Sequence, residues 1–137
     1  MDDRITQKIQ EIEQFMSEIE PILPSSLEEY LQDYKIRAIC ERYCEKIIEA
    51  VVDLAFMIIK NKKLKNPDTE QQAFDILRQH GIISEKLALN LKAAKGMRNI
   101  IAHEYGKIDD ELIYEAITQQ LLNDVREFLE AIPASEF

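Results

Sequence analysis

Turn-forming residues are scarce in this sequence, which has three glycines, four prolines and no tryptophan among 137 residues. Such scarcity predicts a few long helices joined by short connections. Long apolar runs are also missing: Ala50 to Ile59 is interrupted by Asp53 and falls far short of the roughly 20 residues that span a bilayer. The acidic start has no cationic residue and no apolar run behind it, so we expect no signal peptide, no membrane contact and a cytoplasmic location.

Cysteine is nearly absent as well. Cys40 and Cys44 are the only two, and their spacing of four places them on one face of a helix. A disulfide between them would be strained, and a metal site would need further ligands nearby that the sequence does not offer. Both cysteines are therefore predicted to be small apolar residues, and no metal or cofactor is expected.

Positive charge is in deficit, and the net charge is −9. Coating a long nucleic acid needs many cations that meet its phosphates, so this charge argues against that function. Two segments nevertheless contain no Asp or Glu: Leu54 to Pro67, and Lys86 to His103. The first is interpreted as a solvated helix end, where lysine is favoured. The second contains one of the two histidines, so it is the better candidate for a functional segment.

Apolar residues recur at spacings of three and four throughout the chain, and no useful stretch alternates with period two. The fold class predicted is all-α, a single domain over residues 1–137 built as an up-and-down bundle of four to five helices. The predicted helices are Ile5 to Ile19; Ser26 to about Lys60, with a break near Asp33; Thr69 to Gly81; Ser84 to about Tyr105, ended by Gly106; and Asp109 or Asp110 to Leu129.

The residues that could take part in a reaction lie at the end of the fourth predicted helix. Arg98-Asn99-Ile100-Ile101-Ala102-His103-Glu104-Tyr105 combines a permanent cation, an amide, a group that titrates near neutrality and a phenol. At 100° per residue Asn99 and His103 lie about 40° apart, whereas Arg98 and His103 are splayed by about 140°. Three arrangements could bring the last two together: a swing of the arginine, a loosened helix end, or a second copy of the chain.

Other residues with possible functional roles lie near this motif or elsewhere in the predicted helices. Gly96 and Lys95, in the preceding turn, are predicted to support the cleft, although Gly96 could also be a harmless feature of the helix. His80 precedes Gly81 and is interpreted as a helix C-terminal residue. Glu49 and Asp53 share a helix face, but no histidine joins them as a metal ligand, so they are expected to pair with Lys or Arg or to position a cleft residue.

These groups favour cleavage of RNA by attack of the ribose 2′-hydroxyl on the adjacent phosphate. In this hypothesis His103 acts as general base, or as acid toward the leaving 5′ oxygen, and Arg98 neutralises charge on the phosphate. Asn99 either orients His103 or donates to phosphate. DNA lacks the 2′-hydroxyl and would not be cut.

The same eight residues resemble the Arg-x4-His-x-Tyr signature of HEPN-domain ribonuclease toxins, most of all the HepT type. The likeness extends over most of the chain, in Ile36 to Tyr43 and on through Ile48 to Asp53, in Phe74 to Leu77, in Gly81 to Ile83 and in Tyr105 to Asp109. The resemblance implies a HEPN-like fold and a homodimer whose interface holds a metal-independent site. In it Arg98 and His103 would be catalytic, with Asn99 in support. It further implies a minimal nucleotidyltransferase (MNT) antitoxin that transfers AMP to Tyr105.

One different class of function stays open. The chain could be a non-catalytic helical module that docks a nucleotidyltransferase as its substrate-binding subunit, or one that restrains a toxic transferase as its antitoxin. Charge composition does not separate these from the toxin, because each needs a surface for the same partner.

Overall fold

The fold was obtained as a computed structural model, in which residues 2–132 are described apart from the side chain of Tyr105. Within that part of the chain the secondary structure is helical and contains no strand, which confirms the all-α prediction. The helices are α1 (Asp3–Ile19), α2 (Leu27–Gln32), α3 (Tyr34–Asn61), α4 (Glu70–Gln79), α5 (Glu85–His103), α6 (Asp110–Glu115) and α7 (Leu122–Glu130). Two 3₁₀ turns, Glu20–Ile22 and Tyr105–Lys107, and a π-helical segment, Ala116–Leu121, complete the path.

Short polar side chains set where the helices begin. Ser26, Asp33, Thr69, Ser84 and Asp109 each accept a hydrogen bond from a backbone N–H of the first turn that follows. Those N–H groups have no partner inside the helix, so each cap stabilises its helix by about 1 kcal/mol. The predicted caps and the predicted break near Asp33 are confirmed.

Helix α3 is the centre of the fold, since it packs against α1, α4 and α5. Its apolar residues join those of the other helices in one core cluster that extends from Ile5 to Ile132. Cys40 and Cys44 are buried in it as free thiols, and burial raises the pKa of Cys40 to about 11. Both cysteines therefore act as apolar core residues at neutral pH, as predicted.

The last predicted helix is a single rod with a wider turn in its middle. Helix α6 continues through the π-helical segment Ala116–Leu121 into α7 without a loop. The buried carboxylate of Asp124 accepts hydrogen bonds from Gln120 Nε2, at 3.0 Å, and from Asn90 Nδ2 of α5, at 3.2 Å. The bond from Asn90 ties the rod to α5, and the bond from Gln120 spans the junction between the π-helical segment and α7.

Helix α5 ends earlier than the sequence indicated. Its last helical residue is His103, and Glu104 leaves the helical region with φ −129° and ψ 51°. Gly106 lies within the following 3₁₀ turn, so it does not terminate the helix.

Across residues 2–132, no helix is both long enough and apolar enough to cross a bilayer.

Candidate active site

The predicted site residues are carried by the last three turns of α5. Lys95, Gly96, Arg98, Asn99 and His103 all lie within Glu85–His103, which Ser84 caps by accepting a hydrogen bond from Leu87 N. Because α5 stays helical through His103, the angular splay between Arg98 and His103 is retained. A loosened helix end is therefore not what brings these two residues together.

Arg98 is fixed against α3. Its Nη2 donates to Oε1 of Glu49, and this hydrogen bond is the main cause of a pKa raised above the ordinary arginine value. The arginine side chain is 18% exposed, against 43% for Glu49. Its Nε is buried without a hydrogen-bond partner within the described residues. The guanidinium is therefore permanently charged and already oriented in a single protomer.

Asn99 is held by its own helix. Lys95 Nζ donates to Asn99 Oδ1 at 2.8 Å and also pairs with Glu70 Oε2, on α4, at 2.7 Å. Lys95 is only 7% exposed, which is rare for lysine unless its charge is paired. The predicted supporting residue thus lies in the interior and contacts the predicted site residue directly.

His103 stands apart from this network. It is exposed at the last helical position of α5, and it forms no hydrogen bond or ion pair with other groups in the described part of the chain. Arg98 and His103 are not brought into contact within one protomer. Within the described residues of a single chain, the site therefore has an anchored cation and amide on one side and an imidazole without a partner on the other.

The remaining predicted residues are placed as follows. A Cβ added at Gly96 would meet no atom of another element within 4 Å among the described residues, so no close approach among them explains this glycine. Tyr105 begins the 3₁₀ turn after α5, and its side chain lies outside the described part of the structure. His80 is the C-cap of α4, as predicted.

Neighbouring helices supply the acids that the stretch from Lys86 to His103 lacks. Lys92 Nζ lies 3.1 Å from Asp75 of α4, Lys95 pairs with Glu70, and Arg98 pairs with Glu49 of α3. The cationic stretch seen in the sequence is therefore largely neutralised in the fold. This arrangement leaves α5 with well-oriented donors but a small net positive charge.

Glu49 and Asp53 are engaged by cations, as the sequence reading favoured. Glu49 pairs with Arg98, and Asp53 Oδ2 lies 3.6 Å from Lys8 Nζ. Within residues 2–132, no group of three or more His, Cys, Asp or Glu side chains is arranged to hold a metal ion.

A family model described as "Ribonuclease HepT-like" matches residues 5–132, which is nearly the whole chain. The chain belongs to the Ribonuclease HepT-like family. Among curated proteins, it is 27% identical over 134 residues to the mRNA nuclease HepT of Shewanella oneidensis, covering 98% of this chain and 99% of that protein. It is also 27% identical over 114 residues to the tRNA nuclease HepT of Aphanizomenon flos-aquae, covering 83% and 78% of the two chains.

Solved structures of HepT-like proteins share the fold. The tri-AMPylated Shewanella oneidensis HEPN toxin, solved in complex with its MNT antitoxin, matches with a TM-score of 0.89 and 27% identity over 98% of this chain and 99% of that one. A toxin–antitoxin crystal structure with AMP-PNP matches with a TM-score of 0.88 and 25% identity, covering 97% and 100%. The resemblance read from the motif is thereby confirmed at the level of the family, its ribonuclease activity and its toxin–antitoxin context.

Glu70 is the site-associated residue that the sequence did not reveal in this HepT-like chain. An acid in the first turn of a helix is ordinarily explained by the helix dipole, so Glu70 carried no signal of its own. Only the packing of α4 on α5 brings it to Lys95.

Proposed function

We propose that this chain is the toxin of a toxin–antitoxin pair, a metal-independent endoribonuclease of the cytoplasm that its nucleotidyltransferase partner inactivates by AMPylation. The observation that carries the proposal is the family match over residues 5–132, together with the position of Arg98, Asn99 and His103 at one end of α5. Arginine can neutralise charge on a phosphate and histidine can transfer protons near neutral pH, so the pair suits phosphoryl transfer within RNA.

The proposed reaction consumes no cofactor. The ribose 2′-oxygen attacks the adjacent phosphorus while its proton passes to a base, and the phosphorus–5′-oxygen bond breaks as the leaving oxygen gains a proton. The products are a 2′,3′-cyclic phosphate and a 5′-hydroxyl, so atoms and charge balance. A nearby imidazole can serve either proton transfer, each typically worth 10²- to 10⁴-fold. His103 is the group assigned to this role.

Arg98 stabilises the charge that develops on the phosphate. Glu49 engages only Nη2, and Nη1 makes no hydrogen bond with the described residues. The free edge of the guanidinium is therefore available to a non-bridging oxygen while α3 holds the side chain in place. A donor oriented before substrate arrives costs little reorganisation during the reaction.

A homodimer completes the site in this proposal. Arg98 and His103 face different directions in one protomer, and a two-fold axis would juxtapose two copies of the motif. The face of α5 that bears Leu89, Ala93, Gly96 and Ile100 spans about 60° around the helix. Leu89 is exposed, and no described residue fills the space at Gly96. This face adjoins His103 and lies opposite Arg98 around the helix, so we assign it to a second protomer that completes the imidazole side of the site.

Inactivation is assigned to Tyr105. The relative from Shewanella oneidensis has been solved in a tri-AMPylated form with MNT antitoxin. AMP on a tyrosine two residues after His103 would add bulk and negative charge beside the phosphate site. That charge would repel an RNA phosphate and block the cleft.

Cleavage is tested by incubating the purified protein with total RNA in excess EDTA and mapping the product ends. We expect 2′,3′-cyclic phosphate and 5′-hydroxyl ends, and no cutting of DNA of the same sequence or of RNA methylated at the 2′-oxygen. His80→Ala is the matched control for His103→Ala, because it removes the only other histidine of the chain, which lies at the C-cap of α4. Loss of cleavage with both variants would remove the specific role of His103.

Growth assays separate the toxin from the non-catalytic module that binds or restrains a nucleotidyltransferase. The neutralisation of Arg98 by Glu49 is the observation that favours this second function. Expression of the chain alone should arrest growth if it is the toxin, and Arg98→Ala or His103→Ala should relieve the arrest. Equal toxicity of those variants would contradict the catalytic assignment.

Intact mass tests the modification site. Co-expression with the nucleotidyltransferase should add about 329 Da per AMP group, the mass of AMP less water, at the modified hydroxyl. Tyr105→Phe should abolish the gain, whereas Tyr34→Phe, at a tyrosine that is 70% exposed, should not. A gain that persists in Tyr105→Phe would refute the assignment.

A further inference from the structure

Lys95 lies in an unusual environment for a lysine in so acidic a protein. It is buried, and its ammonium has two partners, Asn99 Oδ1 at 2.8 Å and Glu70 Oε2 at 2.7 Å. Glu70 is itself well placed, because it is the first residue of α4 and follows the cap formed by Thr69. A connected series of contacts thus runs from the start of α4 to the motif on α5.

The chemistry of these contacts fixes the orientation of the Asn99 amide. A lysine ammonium can only donate hydrogen bonds, so the atom of Asn99 that it contacts must be the carbonyl oxygen. The amide orientation therefore follows from the identity of the partner, whereas an asparagine side chain in other surroundings could be flipped. The group that remains available on Asn99 is the NH₂, which can only donate.

The position of Asn99 indicates that its NH₂ group can donate to a bound phosphate. On an ideal helix Asn99 lies between the other two motif residues, about 100° from Arg98 and about 40° from His103. A phosphate that contacts Arg98 on the side toward the helix end therefore lies near Asn99, whichever protomer supplies the imidazole. Its non-bridging oxygens carry negative charge and only accept hydrogen bonds, which matches the NH₂ donor of Asn99.

We propose that Lys95, held by Glu70, is a positioning residue that turns the Asn99 amide so that its NH₂ donates to a non-bridging oxygen of the scissile phosphate. The inference rests on the proposed ribonuclease function and assigns Asn99 one of the two roles that the sequence left open. Glu70 neutralises the Lys95 ammonium, so Lys95 acts through Asn99 rather than by attracting RNA itself.

Activity measurements use the full-length protein and an RNA that it cleaves. Lys95→Met keeps the length of the side chain but removes the donor, and we expect kcat to fall about tenfold with KM little changed, the effect of one lost hydrogen bond in the transition state. Lys92→Met is the matched control, because Lys92 also joins α5 to α4 through an ion pair, with Asp75, but does not contact Asn99. Equal losses of kcat in the two variants would show a merely structural role and overturn the inference.

A double-mutant cycle tests whether Lys95 acts through Asn99. If it does, Lys95→Met should cost nothing further in an Asn99→Ala background. A phosphorothioate at the contacted non-bridging oxygen should slow the wild type, and this sulfur effect should shrink in Asn99→Ala and in Lys95→Met. Additive losses, or an unchanged sulfur effect, would contradict the proposal.

A third measurement does not depend on activity. The side-chain NH₂ resonances of Asn99 should shift in Lys95→Met and stay in place in Lys92→Met, and unchanged resonances in both would overturn the inference. Glu70→Gln, at an exposed residue, provides a second variant should Lys95→Met fail to fold, and it should move the same resonances. A wild type that cuts no RNA would refute the proposed function, whereas wild-type kcat in Lys95→Met beside an inactive His103→Ala would refute this inference alone.

Discussion

Arg98 and His103 lie five residues apart on α5, yet their surroundings differ in every respect that matters for chemistry. Arg98 faces α3, is mostly buried and is paired with Glu49, whereas His103 is exposed at the end of the helix without a partner in the described residues. One half of the site is assembled by folding of the protomer. The other half must be completed by whatever binds at the helix end, which in our proposal is RNA and a second protomer.

The largest expected effect separates catalysis from stability. Arg98→Ala and His103→Ala should each lower the single-turnover rate by about 10²- to 10⁴-fold. Only Arg98→Ala should also lower the free energy of unfolding, by about 1 kcal/mol or less, because it leaves Glu49 without its cation. Thermal melts of the two variants check this difference, and equal destabilisation by His103→Ala would mean that the imidazole is also anchored.

A smaller effect is expected for substitutions of Glu49, the residue that holds Arg98 in place. Glu49→Ala should lower cleavage about tenfold, because Arg98 loses the hydrogen bond that orients it. Glu49→Gln keeps an oxygen that can accept from Nη2 and should retain most of the activity. The two rates, measured on one RNA substrate, would contradict the orienting role if the glutamine variant were as impaired as the alanine variant.

A substitution at Gly96 tests whether a second protomer packs against the face of α5 that bears Leu89 and Gly96. An added Cβ meets no atom of another element among residues 2–132 as described, so Gly96→Ala should raise the free energy of urea unfolding by up to about 1 kcal/mol through better helix propensity. If a second protomer packs there, the same change should weaken the dimer and reduce cleavage. Sedimentation of the variant at several concentrations measures this, and an unaltered dimer would place Gly96 outside the interface.

The smallest effect concerns Glu41, which shares α3 with Glu49 but has no ion pair among the described residues. Burial, followed by the charge of Asp110, raises the pKa of this carboxyl, although Arg37 opposes the shift. The folded state therefore holds the proton more tightly than the unfolded state, and stability falls as pH rises from the ordinary carboxyl pKa through the raised one. Glu41→Gln should melt at a higher temperature than the wild type at neutral pH, and the gain should vanish near pH 4, where both states are protonated. A gain that is the same at both pH values would assign it to packing.

Most of the fold could be read from local patterns. Ser26, Asp33, Thr69, Ser84 and Asp109 begin helices because a short polar side chain can satisfy nearby N–H groups, and this depends only on adjacent residues. The widened turn at Ala116–Leu121 was not predicted, because its residues have ordinary helical character. The early end of α5 was missed for a similar reason, since Gly106 is a strong terminator but Glu104 leaves the helix first.

The sequence alone determined which chemical groups are present, their order, and the helix that carries them, because periodicity and capping act over a few residues. Only the tertiary structure decided which groups are engaged: Glu49 with Arg98, and Glu70 with Lys95, are separated by 49 and 25 positions in the numbering and meet only when α3, α4 and α5 pack together. Ion pairs of this kind depend on distances of a few ångströms between helices, which no local pattern encodes. His103 lacks such a partner among the described residues, and this too depends on how the helices pack rather than on the residues beside it in the chain.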